Sequence, residues 1–242
     1  EQCRAGRYNL CPDVRFFATP PIDGAFSEHV VLHEQFAHPV PDSLSDDAAA
    51  LLEPLSVGVW ACRKARVGPG DRVLVNGAGP IGLVAAQTAL AYGAAEVVAA
   101  DVNPTRLRLA AELGCTNVLD VSARPLAEAR FEPDVLLECS GHPVAIGAAI
   151  RTVARAGRAV LVGMGGDEIP LPLAHLQEHE IELTGTFRYA NTWPAAIALA
   201  TSGRVDLDRL VTSRHPLAEV EAALTSGARD PKSVKPIVRP GE

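Results

Sequence analysis

The chain has 242 residues, of which 48% are hydrophobic and 21% charged, a composition typical of a soluble globular protein. Its 22 lysines and arginines against 29 aspartates and glutamates give a formal net charge of −7 without a basic cluster, so nucleic acid and an anionic membrane surface are not expected as partners. Polar residues interrupt the longest apolar stretch, 83–100, which is therefore not predicted to span a membrane. Five cysteines, an odd number, favour a reducing cytoplasm over a disulfide framework.

The first 52 residues show little hydrophobic periodicity. They are rich in proline, histidine and aromatic residues, and residues 28–32 form a short strand candidate. Such a segment cannot bury a core by itself. It is therefore expected to belong, together with the C-terminal flank, to a second domain.

A glycine-spaced turn after the first central strand predicts a dinucleotide site. An apolar run ends at Gly77, and Gly79 and Gly82 follow at the start of an apolar helical stretch. In this pattern the first glycine permits a tight turn, the second lets the backbone approach a pyrophosphate, and the third lets the helix pack closely on the sheet. The helix begins at Pro80 and Ile81, and its N-terminus offers free N–H groups and the positive end of the helix dipole to the phosphates.

A carboxylate completes this pattern. Asp101 ends the next apolar run and lies 19 residues after Gly82, close to the spacing of about 20 at which a carboxylate accepts hydrogen bonds from ribose hydroxyls. Because its charge repels a 2′-phosphate, Asp101 favours NAD over NADP as the cofactor.

Strands and helices alternate through the centre of the chain. Apolar runs bounded by turn residues predict six strands, at 73–77, 96–101, 117–120, 134–139, 158–163 and 181–187. Helical periodicity predicts helices at 80–92, 104–113, 143–155 and 192–203, with a weaker one at 125–130. Six strands with helical crossovers predict a doubly wound parallel sheet, an α/β Rossmann fold in the strand order 3-2-1-4-5-6.

Two further turns are predicted to line the same site. Ligands of doubly wound sheets lie at the carboxyl ends of the strands. Cys139 and Ser140 follow the fourth predicted strand, and Gly163 and Met164 follow the fifth. Their backbone groups are therefore expected beside the glycine turn, where they can contact the cofactor.

The C-terminal flank again has only short elements. Residues 205–238 hold a strand candidate at 209–212, a helix from about 217 to 226 and a closing strand near 234–238. Like the N-terminal flank, this segment is expected in the second domain.

Several sequence strings outside the predicted sheet are specific to one group of dehydrogenases. They are Phe16–Pro21 (FFATPP), Glu53–Gly58 (EPLSVG) and Phe187–Pro194 (FRYANTWP), together with Cys3 and Cys11 separated by seven residues. With the glycine turn and its carboxylate, these strings closely resemble the zinc-dependent medium-chain polyol dehydrogenases, the group of sorbitol (L-iditol) and xylitol dehydrogenases. The resemblance covers nearly the whole chain.

The resemblance implies a domain organisation. Residues 1–53 match the C-terminal part of a GroES-like, β-rich catalytic domain, 54–187 the NAD-binding Rossmann domain, and 188–242 the return to the catalytic domain. Family members carry a further segment before the first residue of this chain, so the chain is expected to be N-terminally truncated. The resemblance also implies a homodimer or homotetramer, with residues 181–187 at the dimer edge.

The resemblance further implies oxidation of a secondary alcohol of a polyol to a ketose, with hydride transfer to NAD and zinc as the Lewis acid. It places Glu53 beside the catalytic zinc, as a ligand or through the zinc-bound water; the alternative is a helix-start carboxylate. Phe17 with Thr19, and Arg188 with Tyr189, match substrate-pocket positions. Ordinary packing is the alternative for the two phenylalanines of the FFATPP string.

Other positions match the family's cofactor and structural-metal sites. Arg106 resembles the residue that lies against the adenine ribose, and Phe187 and Arg188 match cofactor-binding positions. Cys3 and Cys11 resemble the last two cysteines of a four-cysteine structural zinc site; the alternative is two free thiols.

Two other classes of function remain open. The chain could be a non-catalytic NAD-binding module or redox sensor, because the remaining zinc ligands and the proton relay are expected upstream of it. It could also be a zinc-free reductase of the same superfamily, although Glu53 and the two N-terminal cysteines argue against that reading.

Overall fold

A six-stranded, fully parallel sheet forms the centre of the computed structural model, which describes residues 1–241. Its strands are, in chain order, β1 (Arg72–Asn76), β2 (Glu96–Asp101), β3 (Asn117–Asp120), β4 (Val135–Glu138), β5 (Arg158–Leu161) and β6 (Glu182–Gly185). They lie in the order β3-β2-β1-β4-β5-β6, with every neighbouring pair parallel. This is the predicted order, and each strand lies within two residues of its predicted bounds. The prediction of a Rossmann fold is therefore confirmed.

Helices cover both faces of this sheet. They are α1 (Asp46–Ala50), α2 (Leu52–Lys64), α3 (Pro80–Ala91), α4 (Pro104–Glu112), α5 (Pro143–Ile150), α6 (Leu173–Glu178), α7 (Trp193–Thr201) and α8 (Val220–Arg229). Side chains alternate along the strands into two cores: Val73 and Val135 pack with α2 and α3, whereas Leu74 and Leu136 pack with α5. Within residues 1–241, no helix combines the length and the apolar character needed to cross a membrane.

The helix α2 is absent from the predicted elements, as are α1 and α6. Most of its surface is buried between Leu52 and Cys62, so its apolar residues do not define one face. Pro54 and Gly58 weaken the helix signal further. At the crossing with α3, a Cβ on Gly58 would approach the Ala85 nitrogen to 3.0 Å, so the glycine permits the close contact between the two helices.

Two predicted helices are shorter in the structure. The helix predicted at 143–155 ends at Ile150, because the backbone turns there and the Thr152 hydroxyl donates to the Ala149 carbonyl at 2.7 Å. The weak helix at 125–130 is a single 3-10 turn, Leu126–Ala129.

The strand predicted at residues 28–32 is wrong. These residues are irregular and all of them are exposed, and in the described part of the chain no strand lies beside them. An apolar run without a neighbouring strand makes no ladder of hydrogen bonds and does not persist as a strand.

The C-terminal flank forms a second, two-stranded parallel sheet from β7 (Val211–Pro216) and β8 (Lys235–Arg239), connected by α8. The strand predicted at 209–212 begins inside a 3-10 turn, so β7 starts two residues later and continues to Pro216. The predicted helix also begins with a 3-10 turn, Leu217–Glu219, before α8.

The N-terminal and C-terminal flanks meet at Asp47 of α1, a buried carboxylate between two arginines. Arg214 of β7 donates from Nε to Oδ2 at 2.6 Å, and Arg239 of β8 donates from Nη2 to Oδ1 at 3.1 Å. Burial alone would raise the pKa of Asp47, but the hydrogen bonds and charges of Arg239 and Arg214 outweigh it and hold the pKa below its usual value. The carboxylate is therefore a charged link between the two ends of the chain.

We expect Asp47→Asn to lower the free energy of unfolding by roughly 1–3 kcal/mol, because it removes charge-assisted hydrogen bonds to two partly exposed arginines. Since the folded pKa lies below that of the unfolded chain, this stabilisation is present at neutral pH and is lost as the pH falls below about 4. Urea unfolding of both proteins at neutral and acidic pH measures the difference. The control is Asp46→Asn, a change at an exposed neighbour. Equal losses in the two variants would contradict the assignment.

Candidate active site

The glycine turn after β1 has one glycine that the fold itself does not require. Gly77 has a φ of +97°, and a Cβ there would lie 2.7 Å from the Ser140 nitrogen. A Cβ on Gly82 would lie 1.8 Å from the Gly77 oxygen. Gly79, by contrast, has an ordinary φ of −69°, and a Cβ there would meet no atom within 4 Å. The open space over Gly79 fits a group that approaches the backbone from outside the chain.

The N-terminus of α3 opens onto this space. Pro80 is its first residue, and no side chain in the described part of the chain caps the helix. The first N–H groups of an α-helix have no partner within the helix and carry the positive end of its dipole. Ile81 and Gly82 therefore present donors suited to a phosphate, beside the open space over Gly79.

Asp101 connects the end of β2 to the glycine turn. Its Oδ2 accepts a hydrogen bond from the Ala78 nitrogen at 2.6 Å, and its Oδ1 accepts one from the Asn103 nitrogen at 2.8 Å. The carboxylate is held at the carboxyl edge of the sheet, where each oxygen keeps a further lone pair for a ligand hydroxyl. Arg106 lies in the first turn of α4, and its Nε is buried with no hydrogen-bond partner among residues 1–241.

The turns after β4 and β5 close the other side of this crevice. A Cβ on Gly163 would lie 2.4 Å from the Gly141 nitrogen, so the two backbones are in direct contact. Ser140 and Cys139 follow β4, and burial with the nearby charge of Glu138 raises the pKa of the Cys139 thiol well above its ordinary value. Met164 is 93% exposed and stands at the open side of the crevice. The structure thus brings together the four residues that the sequence places here.

A second cluster lies on the segment that follows β6. The Arg188 guanidinium donates from Nη2 to the Thr19 hydroxyl at 2.7 Å and stacks 3.8 Å from the centre of the Phe16 ring. The Phe187 ring lies 5.2 Å away on the same guanidinium. Arg188 has a φ of +54°, a backbone conformation that is uncommon outside glycine, and its Nε is buried without a partner among the described residues. Phe17, the predicted pocket ring, is instead 37% exposed.

The buried Tyr189 lies beside the partly buried Glu53, next to this arginine. Burial raises the pKa of Glu53, and the Tyr189 hydrogen bond with the charges of Lys235 and Arg188 offsets part of the rise. Burial and the Glu53 carboxylate raise the pKa of Tyr189, so its hydroxyl keeps its proton and donates to Glu53. Glu53 lies in the first turn of α2, and Tyr189 packs edge-on against Phe16 with ring centres 6.1 Å apart.

The metal-ligand candidates do not form a complete metal site among the described residues. Cys3 and Cys11 lie side by side, and the hydrogen bond and charge of Cys11 raise the pKa of the Cys3 thiol. Within residues 1–241, no group of three or more histidine, cysteine, aspartate or glutamate side chains is placed to hold a metal ion. The two thiols and Glu53 are therefore separate, partial donor sets.

Sequence reasoning missed three residues at these sites. Glu138 ends β4 with a fully buried side chain, and the signal for it was a carboxylate inside the apolar run VLLE. Phe16, rather than its neighbour, contacts Arg188. The charge of Lys235 on β8 lowers the pKa of Glu53, an effect between distant parts of the chain that no local pattern reports.

Comparison with known proteins places this architecture in a family. Residues 80–202 match the family described as zinc-binding dehydrogenase. The sorbitol dehydrogenase of Bacillus subtilis is 39% identical over 231 residues, which are 93% of this chain and 65% of the relative. The chain therefore spans 65% of the length of that relative.

Two solved structures share the fold over nearly the whole chain. L-idonate 5-dehydrogenase of Escherichia coli is 30% identical with a TM-score of 0.91, over 99% of this chain and 71% of that one. An alcohol dehydrogenase of Escherichia coli CFT073, complexed with NADH, is 26% identical with a TM-score of 0.92. The match covers 97% of this chain and 71% of that one. The chain belongs to the zinc-binding dehydrogenase family, with sorbitol dehydrogenases among its relatives.

Proposed function

We propose that this chain binds NAD and serves the oxidation of a secondary alcohol of a polyol, such as sorbitol or xylitol, to a ketose. The observation that carries the proposal is the position of the Arg188–Thr19 and Tyr189–Glu53 pairs. Arg188 and Tyr189 lie on the segment that follows β6 and hold Thr19 and Glu53 beside it. The carboxyl ends of parallel strands share one edge of the sheet with the glycine turn. Sorbitol dehydrogenase relatives support the same reading.

The crevice residues fit a dinucleotide. The space over Gly79 and the uncapped start of α3 suit the pyrophosphate, and Asp101 suits the hydroxyls of the adenosine ribose. Gly163 follows β5 and Phe187 follows β6, in the half of the sheet where the nicotinamide would bind. When bound, NAD supplies the hydride acceptor, while the protein contributes binding and orientation.

The second cluster suits a polyhydroxylated substrate. A guanidinium has five N–H donors and no acceptor, and the contact with Thr19 uses only one donor of Arg188, so others remain for substrate hydroxyls. The raised pKa of Glu53 brings its carboxylate closer to the range where a side chain accepts a proton efficiently near neutral pH. Glu53 would hold the proton that a substrate hydroxyl releases, at the carboxylate oxygen that Tyr189 leaves free.

Zinc fits only in part. Glu53 would be one donor of a catalytic site, and Cys3 with Cys11 would be two donors of a structural site. Neither set is a complete zinc site within residues 1–241, so no chemical step here is assigned to a metal.

We also propose the domain organisation and the assembly. Residues 54–187 would be the NAD-binding domain, and the link of Asp47 to Arg214 and Arg239 supports a second domain built from both flanks. The edge strand β6 would join two copies in a homodimer, and two such dimers could form a homotetramer. The protein would work in a reducing cytoplasm. Sedimentation measures the oligomeric state of wild type and of Leu183→Pro in β6. If β6 is the dimer edge, the variant should dissociate.

The proposed function is tested with the 242-residue chain in two measurements. Titration with NADH and NADPH should show preferential binding of NADH, and incubation with NAD and a panel of polyols should form NADH. Cofactor binding without polyol oxidation would favour the NAD-binding module as the function. Polyol oxidation that survives complete removal of metal by a chelator would favour the zinc-free alternative.

A separate prediction concerns the pH profile. We expect Tyr189→Phe to shift the acidic limb of kcat to higher pH, because the Tyr189 hydrogen bond lowers the pKa of Glu53 and its loss raises that pKa further. Glu53 must be ionised to accept a proton, so the variant needs a higher pH for the same rate. Initial rates across the pH range measure the shift, with Tyr92→Phe, directly after α3, as the control. An unchanged acidic limb in Tyr189→Phe would contradict the role of Glu53.

A further inference from the structure

Glu138 lies at the point where the strand order of the main sheet reverses. It is the last residue of β4, and its register partner is Asn76, the last residue of β1. The side chain of Glu138 is fully buried. In doubly wound sheets the crevice at this reversal is where a dinucleotide crosses the sheet.

The carboxylate of Glu138 is surrounded by donors. Its Oε1 accepts hydrogen bonds from Asn76 Nδ2 and the Ser140 nitrogen, both at 3.0 Å, and from the Ser140 hydroxyl. Its Oε2 accepts one from the Gly141 nitrogen at 3.3 Å. The Ser140 hydroxyl itself accepts from the His142 nitrogen, so its proton points to Glu138. All four of these contacts are made by donors, as suits a carboxylate, which only accepts hydrogen bonds.

The same residue fixes three turns of the crevice. Its side chain holds Asn76, directly before the glycine turn, and the turn after β4. Its backbone carbonyl accepts hydrogen bonds from the nitrogens of Val162 and Gly163, both at 2.8 Å, and so holds the turn after β5. These turns are in backbone contact, since a Cβ on Gly77 or on Gly163 would collide with the turn after β4.

We propose that Glu138 is a positioning residue of the cofactor crevice, whose buried negative charge makes the crevice favour oxidised over reduced nicotinamide. This inference rests on the proposed function. The nicotinamide ring is positively charged in NAD+ and neutral in NADH, whereas the rest of the dinucleotide is the same in both. Because the carboxylate is buried among neutral partners, its charge is weakly screened. It therefore attracts the positively charged ring of NAD+ but not the neutral ring of NADH. β4 begins the half of the sheet that holds the nicotinamide.

The test compares the Kd of NAD+ and NADH in wild type and Glu138→Gln by calorimetry. Glutamine keeps the shape and the acceptor on one oxygen but removes the charge. We expect the Kd of both forms to rise by roughly tenfold, because a charged hydrogen-bond acceptor is lost. The Kd of NAD+ should rise about threefold more than that of NADH. An unchanged ratio of the two Kd values would overturn the inference.

Two further variants separate this effect from loss of stability. Asp47→Asn also removes a buried carboxylate, but outside the crevice, and should leave the ratio unchanged; an equal shift there would overturn the inference. Asn76→Ala leaves the charge and removes one side-chain contact, so it should weaken both forms by the same factor. If Glu138→Gln does not fold, wild-type affinity in Asn76→Ala overturns the inference. Wild type that binds neither form contradicts the proposed function itself.

Discussion

Gly79→Ala is expected to leave the fold intact and to weaken NADH binding by roughly tenfold or more, because the added methyl group enters the space where the pyrophosphate would approach the backbone. The backbone at Gly79 has an ordinary φ, and a Cβ there meets no atom of the chain within 4 Å. The melting temperature should therefore stay close to that of wild type. Calorimetric titration with NADH and thermal unfolding of the same preparation measure the two quantities.

Gly82→Ala is the matched comparison within the same turn. Its Cβ would lie 1.8 Å from the Gly77 oxygen, a backbone atom that cannot rotate away. We expect this variant to lose about 3 kcal/mol of unfolding free energy or more, because overpacking against backbone forces the turn to move. NADH binding should be lost together with stability. If Gly79→Ala binds NADH like wild type, the phosphate site does not lie over this glycine.

The predictable part of the fold rests on signals that are local in the sequence. Each central strand is a short apolar run between turn residues, and the run needs no partner to be recognised. The spacing from Gly77 to Asp101 likewise lies within one βαβ unit, and the structure joins its two ends through the Ala78–Asp101 hydrogen bond. Strand order follows because right-handed crossovers leave few alternatives.

The unpredicted part depends on contacts between distant segments. Phe16 and Phe17 are adjacent residues of the same type, and only the position of Arg188 in the fold determines which ring stacks on its guanidinium. Glu138 is a carboxylate at the end of an apolar run, and its role follows only when Asn76 is seen opposite it. The strand predicted at 28–32 failed for the same reason, since an apolar run does not report whether a neighbouring strand exists.

Asp101→Ser is expected to change the choice of cofactor. The carboxylate offers charge-assisted hydrogen bonds to the ribose hydroxyls, so its loss should raise the Kd of NADH by about tenfold to a hundredfold. The same change removes the charge that repels a 2′-phosphate. Arg106 is then the cationic side chain nearest in sequence to that phosphate. NADPH should therefore bind more tightly to the variant than to wild type.

The ratio of the two affinities separates recognition from support of the turn. Asp101 also accepts hydrogen bonds from the Ala78 and Asn103 nitrogens, so the variant loosens the turn and weakens both cofactors alike through that route. Only loss of the charge at the ribose moves NADH and NADPH in opposite directions. Asp120, its register partner at the end of β3, provides the control, because Asp120→Asn removes a carboxylate from the same edge. If Asp120→Asn changes the preference for NADH over NADPH equally, the selectivity belongs to the charge of the whole sheet edge. If Asp101→Ser leaves this preference unchanged, the assignment of Asp101 to the ribose is contradicted.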